Sequence, residues 1–401
     1  MKRSGREKLD AVIVGAGMVG AACALGLARA GMRVAVIEDL PAQAPSAGDD
    51  VDLRVVAVAP QTQRLLDALG VWQSIASMRV SPYARMQVVD AVGAAALSFN
   101  AADYGWPCLG HIVENRLIAG VLWQTLEREE AVRVHAGERL ARFEVSERGV
   151  RVENESGSVL EAPLLIAADG QQSKVRQDLL IGVDGAPYAQ TALVAHIEIG
   201  VAHGGLAWQR FLPGGPIAFL PLADGRASIV WTLGEDAAQR LMKASVRDFE
   251  AQLQRASAGR FGSLSLASER ASFPLRLQIA QRFVDQRVIL IGDAAHVVHP
   301  LAGQGVNLGF ADVAALLASV DRAKAANRVP LTQGDLARWG RERRSEATLA
   351  AHAFDALNRL YAVADGPWVA ARAFGLGLVD RLPLIKRKFA ERAAGIRAGS
   401  R

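Results

Sequence analysis

Three short segments concentrate the residue types that bind and use a nucleotide cofactor. The first, GAGMVG at 15–20, matches Gly-x-Gly-x-x-Gly. Gly15 permits a tight turn, Gly17 lets the backbone approach a pyrophosphate, and Gly20 allows close packing of helix on strand. The phosphates would sit at the positive end of the following helix. Glu38 lies 18 residues beyond Gly20, where a carboxylate accepts hydrogen bonds from ribose hydroxyls. A merely structural glycine turn would leave Glu38 without a role. The second segment, AADGQQSKVR at 167–176, places Asp169-Gly170 between an apolar run and a helix start. The third, GDAAHVVHPLAGQGVNLGF at 292–310, carries Asp293 and two histidines, His296 and His299. Their His-x-x-His spacing suggests a metal, but no third ligand belongs to the motif, so turn packing is the better reading and no metal is expected. His299 also remains open as a proton relay.

These residues need elements to hold them. AVIV at 11–14 is a β-branched run of the kind buried on both faces of a parallel sheet. An Ala/Leu-rich helix over 18–30 and a second buried strand ending in Glu38 complete a β-α-β unit with a right-handed crossover. LLIA at 164–167 and RVILIGD at 287–293 repeat the buried-strand type. Residues 85–90 and 95–99 read as a hairpin. Residues 186–234 differ in character, with long alternating runs that predict an antiparallel sheet. Asp236–Ala256 reads as one amphipathic helix, and residues 331–401 as mostly helical. The expected fold is therefore α/β: a Rossmann-like dinucleotide-binding domain (1–75, 106–180 and 280–330) interleaved with an antiparallel-sheet domain (76–105 and 181–279), then a helical C-terminal region.

Composition narrows the function classes. The chain has 401 residues, 51% of them hydrophobic and 22% charged, ample to bury sizeable cores and unlike a disordered or disulfide-stapled protein. Its 46 Lys and Arg against 41 Asp and Glu leave a net charge of +5, and no basic stripe with interleaved aromatics suggests nucleic acid. The two cysteines, Cys23 and Cys108, form no Cys-x-x-Cys pair, which fits a reducing compartment. The charged N-terminus precedes only a short apolar run, so no export signal is expected. The longest uncharged stretch, 294–311, contains His, Pro, Gln and Asn and does not read as a membrane span. A cytoplasmic protein is expected. The last 21 residues carry seven Lys and Arg against the single Glu391, a pattern that predicts peripheral contact with the cytoplasmic face of an anionic membrane.

The three segments, in this order, resemble the class A flavin-dependent aromatic hydroxylases, the group typified by para-hydroxybenzoate hydroxylase. The likeness spans nearly the whole chain. VDLRVVAVAPQTQRLLDALGVW (51–72), LGHIVENRLI (109–118), WQRFLPGGPIAFLPL (208–222) and HPLAGQGVNLG (299–309) resemble the ubiquinone-biosynthesis branch in particular. The resemblance implies FAD as cofactor, with NAD(P)H and O2 as cosubstrates and oxygen carried as a hydroperoxide on flavin C4a. It implies that Gly15, Gly17, Gly20 and Glu38 hold the ADP half of FAD. Arg54 and Arg116 would lie along the pyrophosphate and flavin, and Asp169-Gly170 would serve FAD and NADPH. Asp293 would bind the ribitol, while Pro300, Gly303, Gln304, Gly305, Val306 and Asn307 wrap the isoalloxazine. His299 and Pro300 are the expected catalytic residues, shaping a dry pocket over the ring. A helix starting near Gly305 would present free N–H groups to the negative charge of reduced flavin. The substrate would be a polyprenylated phenol. Trp208, Arg210, Phe219 and Trp231 on the inserted sheet read either as its wall or as sheet core. A quinone-biosynthesis complex and a homo-oligomer are further expected partners. A lipid-directed flavoenzyme, such as a prenyl reductase or an epoxidase, and a non-catalytic FAD-binding scaffold are the rival readings.

Overall fold

The computed structural model describes residues 8–46, 48–92, 95–298, 305–362, 380 and 382–395. Its centre is a six-stranded sheet in the order 284–285, 288–290, 164–167, 11–14, 34–38 and 132–136. Every neighbouring pair is parallel except the hairpin of the first two strands. Ala11–Val14 is buried at all four positions, as its uninterrupted apolar sequence requires. The crossover helix Met18–Arg29 is buried continuously from Gly20 to Ala28. Small side chains make this possible, letting the helix lie close against the Asn115–Leu126 and Gly305–Ala325 helices.

A second sheet has the strand order 264–266, 187–199, 227–234, 215–221, 206–212, 85–90 and 96–100, with 271–276 also paired to 187–199. Its pairings are antiparallel apart from 85–90 against 206–212, which run parallel. Strand periodicity gives this sheet two different faces. Leu193, Trp208, Ile217, Phe219, Ile229 and Trp231 pack with Leu241, Phe249 and Leu253 of two covering helices. Ala207, Ala218, Leu220 and Leu222 pack instead with Ala57, Tyr83 and Ile112, which belong to a three-stranded sheet of 55–58, 110–114 and 81–83.

One helix expected over Asp236–Ala256 is two, Glu235–Lys243 and Val246–Ser257. Ala244 is extended (φ −62°, ψ 150°), and the Ser245 side chain caps the second helix by accepting from Asp248 N. A Ser three residues before an Asp offers the backbone a new helix start, and that local competition divides the amphipathic run. No helix among the described residues is long and apolar enough to cross a membrane.

Candidate cofactor and substrate site

The glycine turn has the three steric features its spacing implies. Gly15 has φ +91°, and a Cβ there would stand 2.4 Å from the Ala168 carbonyl oxygen. A Cβ on Gly20 would stand 2.0 Å from the Gly15 oxygen. Gly17, the N-cap of the crossover helix, is different: a Cβ there would meet nothing within 4 Å. The open space over Gly17 lies at the helix's unpaired N–H groups, where a pyrophosphate fits. Beside it a cleft of about 740 Å³ is lined by Gly15, Glu38, Arg139, Asp169, Gln172 and Lys174, among others. Glu38 ends its strand at this cleft, and its carboxylate accepts from Ala16 N and Leu40 N. The acid therefore shapes the glycine turn as well as facing the cleft.

Asp169 stands at the end of the adjacent strand. Its Oδ2 accepts from Val175 N at 3.1 Å, whereas its buried Oδ1 has no protein partner. Burial pushes its carboxyl pKa up, against hydrogen bonds from Ser173 and the following turn. Gly170 follows with φ +78°. Arg176, buried on the short helix after this pair, donates to Ala294 O at 2.9 Å and to Gln171 O at 2.8 Å. It ties the Asp169 turn to the turn that carries Asp293. Arg176 is not legible as a site residue in the sequence, because one arginine beside a turn has no signature of its own.

Asp293 sits in the turn Gly292–Ala294 with its side chain open to solvent. Protein crowds it enough that desolvation raises its carboxyl pKa, opposed by His296 and Arg54. Arg54 is exposed, with its guanidinium 5.4 Å from the Phe273 ring centroid. Arg116 is exposed too and pairs with Asp49 at 2.7 Å. Asp52 draws the two arginines together through the backbone, accepting from Arg54 N at 3.1 Å and Arg116 N at 3.3 Å. Asp52 was not legible in the sequence, since its partners are 2 and 64 residues away.

Gly305 and Val306 open the Gly305–Ala325 helix, and a Cβ on Gly305 would meet nothing within 4 Å. Asn307 holds the helix from within. Its amide donates to Ala57 O at 2.8 Å and accepts from Ala59 N and Thr62 Oγ1. Its side chain is thus committed to protein, leaving its backbone for any flavin contact. His299, Pro300, Gly303 and Gln304 lie outside the described residues.

Of the two readings open for the four substrate candidates, wall or sheet core, the packing favours the core. Trp208, Phe219 and Trp231 belong to the core under the covering helices, and Trp208 packs edge-on against both Phe219 and Phe261. Arg210 shares the Trp208 face and donates to Arg255 O and Ala256 O, at the C-terminal end of the Val246–Ser257 helix. All four share one face of the sheet; the opposite face carries Gln209, Phe211, Ala218, Val230 and Thr232. Phe211 stacks on Tyr361 with centroids 3.8 Å apart. Beside the three-stranded sheet, just past the end of the 215–221 strand, lies a cavity of about 280 Å³, lined by Val51, Val55, Ile112, Leu222, Arg79 and Glu114 among others. Within it Arg79 pairs with the buried Glu114 at 3.0 Å.

The open pyrophosphate cradle, the unpartnered Asp169 oxygen and the exposed Asp293 fit FAD, and comparison with known proteins agrees. Residues 8–329 match the FAD binding domain family. The chain is 37% identical over 389 residues to ubiquinone hydroxylase UbiL of Rhodospirillum rubrum, covering 96% of this chain and 89% of that protein. It is 34% identical to 3-demethoxyubiquinol 3-hydroxylase of Escherichia coli, covering 97% and 99%. Among solved structures, p-nitrophenol 4-monooxygenase PnpA of Pseudomonas putida superposes with a TM-score of 0.77 at 19% identity, covering 98% and 99% of the two chains. PqsL of Pseudomonas aeruginosa, solved with 2-aminobenzoylacetate, gives 0.76 at 24% identity, covering 92% and 100%. These two share the fold. The chain belongs to the FAD binding domain family, as a flavoprotein monooxygenase of the ubiquinone hydroxylase group.

Proposed function

We propose that this protein hydroxylates the aromatic ring of a polyprenylated phenol in ubiquinone biosynthesis, using FAD, NAD(P)H and O2. The observation that carries the reading is the likeness, over 96% and 97% of the chain, to two ubiquinone-pathway hydroxylases, joined to a structure in which the first two motif segments line one cleft and Arg176 ties the second to the turn that carries Asp293. When bound, FAD would take reducing equivalents from NAD(P)H and deliver one oxygen atom of O2 to the ring. The chain's own residues do the rest. The Gly17 cradle and Glu38 bind the ADP half, Asp293 and Arg54 orient the flavin half, and the first turn of the Gly305 helix favours negative charge there. His299 and Pro300 are proposed to close the pocket over the ring.

The flavin-facing side of the large sheet is proposed to wall that pocket and exclude water, through Gln209, Phe211, Ala218, Val230 and Thr232. A ring bearing a carboxylate would want a cation to pair with. In the 280 Å³ cavity Arg79 is already held by Glu114, which favours a phenol without a carboxylate. The Pro383–Ala393 helix exposes Leu384 and Phe389, 79% and 55% accessible, beside Lys388, and is proposed to rest on an anionic bilayer where such a substrate resides.

The test is NADPH oxidation and product analysis with purified holoprotein. Short-chain prenylphenols should stimulate oxidation and gain one oxygen by mass, while para-hydroxybenzoate does neither. Hydroxylation of para-hydroxybenzoate without response to any prenylphenol would overturn the substrate assignment. Bound FAD with no stimulation by either would assign a scaffold.

A further inference from the structure

Behind the Asp293 turn lies a charge cluster sealed from solvent. Asp312 projects from the Gly305–Ala325 helix and is fully buried. Its Oδ2 accepts from His296 Nε2 at 2.7 Å and from Gly292 N at 3.0 Å, and its Oδ1 accepts from Arg343 Nε at 2.7 Å. His296 and Arg343 are themselves only 2% and 1% exposed. Arg343 comes from the Gln333–Ala362 helix and also donates to Leu308 O at 3.4 Å and to Glu346. Trp339 of the same helix donates its indole N–H to Asp312 O at 3.3 Å.

The contacts bracket the residue expected to meet the ribitol. Gly292 precedes Asp293 and His296 follows it, so a single carboxylate pins both ends of that turn. Arg343 meanwhile holds a carbonyl in the first turn of the helix whose N-terminus faces the flavin site. A buried ion pair is weak evidence for stability, because apolar groups of similar volume often serve as well. It is strong in geometry, because each donor direction is specified. Burial works to raise the Asp312 pKa, but His296 and Arg343 outweigh it and bring the carboxyl below its ordinary value. The group is therefore an ionised acceptor.

We propose that Asp312, held by Arg343 and His296, is a positioning residue for FAD: it fixes the Gly292–His296 turn and the following helix so that Asp293 and the helix N-terminus face the flavin. The inference rests on FAD as cofactor and is independent of which phenol is hydroxylated.

Titration of apoprotein with FAD, followed by flavin fluorescence and visible circular dichroism, tests it alongside thermal melting. An Asn offers one acceptor oxygen for three donors, so Asp312→Asn should raise the FAD Kd by about tenfold or more. His296→Phe should do the same and alter the dichroism of the bound flavin. His296→Gln keeps an N–H donor near the position of Nε2 and should recover binding to within about threefold of wild type. Leu253→Ala, in the core under the covering helices, should lower the melting temperature and leave the Kd unchanged. The proposal falls if Asp312→Asn and His296→Phe melt lower yet bind FAD within about twofold of wild type. It falls equally if Leu253→Ala weakens FAD as much, or if His296→Gln recovers nothing. Should Asp312→Asn not fold, the His296 pair decides. Wild-type protein that failed to bind FAD would refute the cofactor instead.

Discussion

At Gly17 and Gly20 the same added methyl group has opposite consequences. A Gly17→Ala methyl enters open space, so the apoprotein should melt at the wild-type temperature while FAD affinity falls, because the methyl occupies the pyrophosphate's place. A Gly20→Ala methyl would press on the Gly15 carbonyl at 2.0 Å, so melting temperature should fall with or without FAD. Overpacking of this kind costs about 1–3 kcal/mol. Equal effects of the two substitutions on the apoprotein would show that the open cradle is misassigned. Asp293→Ala separates binding from folding in the same way. Its side chain is exposed, so removing it should leave a folded, largely colourless protein. Full flavin absorbance in the purified variant would exclude Asp293 as a cofactor ligand.

Between elements, buried and half-buried polar side chains set the geometry. Asn307 joins the Gly305 helix to the 55–58 strand and the Pro60–Ala68 helix, and Arg176 joins the Asp169 turn to Ala294. Asp312 joins three elements, and its charge has a thermodynamic signature. Its folded-state pKa lies below the ordinary value of 3.8, so below that value the unfolded chain binds more protons than the native one. The stability it contributes is present above the ordinary value and drains away as pH falls through the folded pKa. The difference in unfolding free energy between wild type and Asp312→Asn should therefore shrink as pH drops below about 3.8. Urea denaturation at several pH values measures it, and a constant difference across the acid range would contradict an ionised Asp312.

For the molecule as a whole, the C-terminal region joins both sheets' neighbourhoods. Asp380 accepts from Ser98 N on the edge of the large sheet, Lys386 lies 5.9 Å over the Phe99 ring, and Ala394 O accepts from Gln61 N at the start of the Pro60–Ala68 helix. Between those anchors the Pro383–Ala393 helix leaves Leu384, Ile385 and Phe389 exposed. Each basic residue near an anionic leaflet adds about 1 kcal/mol to apolar insertion. Binding to phosphatidylserine-containing vesicles should weaken with salt and be lost when the exposed Arg387 and Lys388 are both replaced by Glu. Sedimentation that persists unchanged in that variant would refute membrane docking by this helix.

Local sequence determined a great deal here, for a physical reason. A phosphate turn is built from neighbouring residues, so Gly15, Gly17, Gly20 and the strands around them could be read from spacing, and the structure has their steric features. Strands buried on both faces likewise announced the parallel sheet through unbroken apolar runs. The direction of a side chain relative to a partner sheet is another matter. Alternation reveals that Trp208 and Gln209 point opposite ways, but both faces of the large sheet are covered with apolar residues, so sequence alone does not say which one meets the cofactor domain. That was settled by the helices 235–243 and 246–257 docking on the Trp208 face. The helix break at Ala244 is not visible in the amphipathic pattern, which runs on continuously while a local Ser245 cap overrides it. Asp312 stood in view as the acid closing a long uncharged stretch, yet its partners His296 and Arg343 lie 16 and 31 residues away. Only the packing of three separate elements brings those side chains into one buried site.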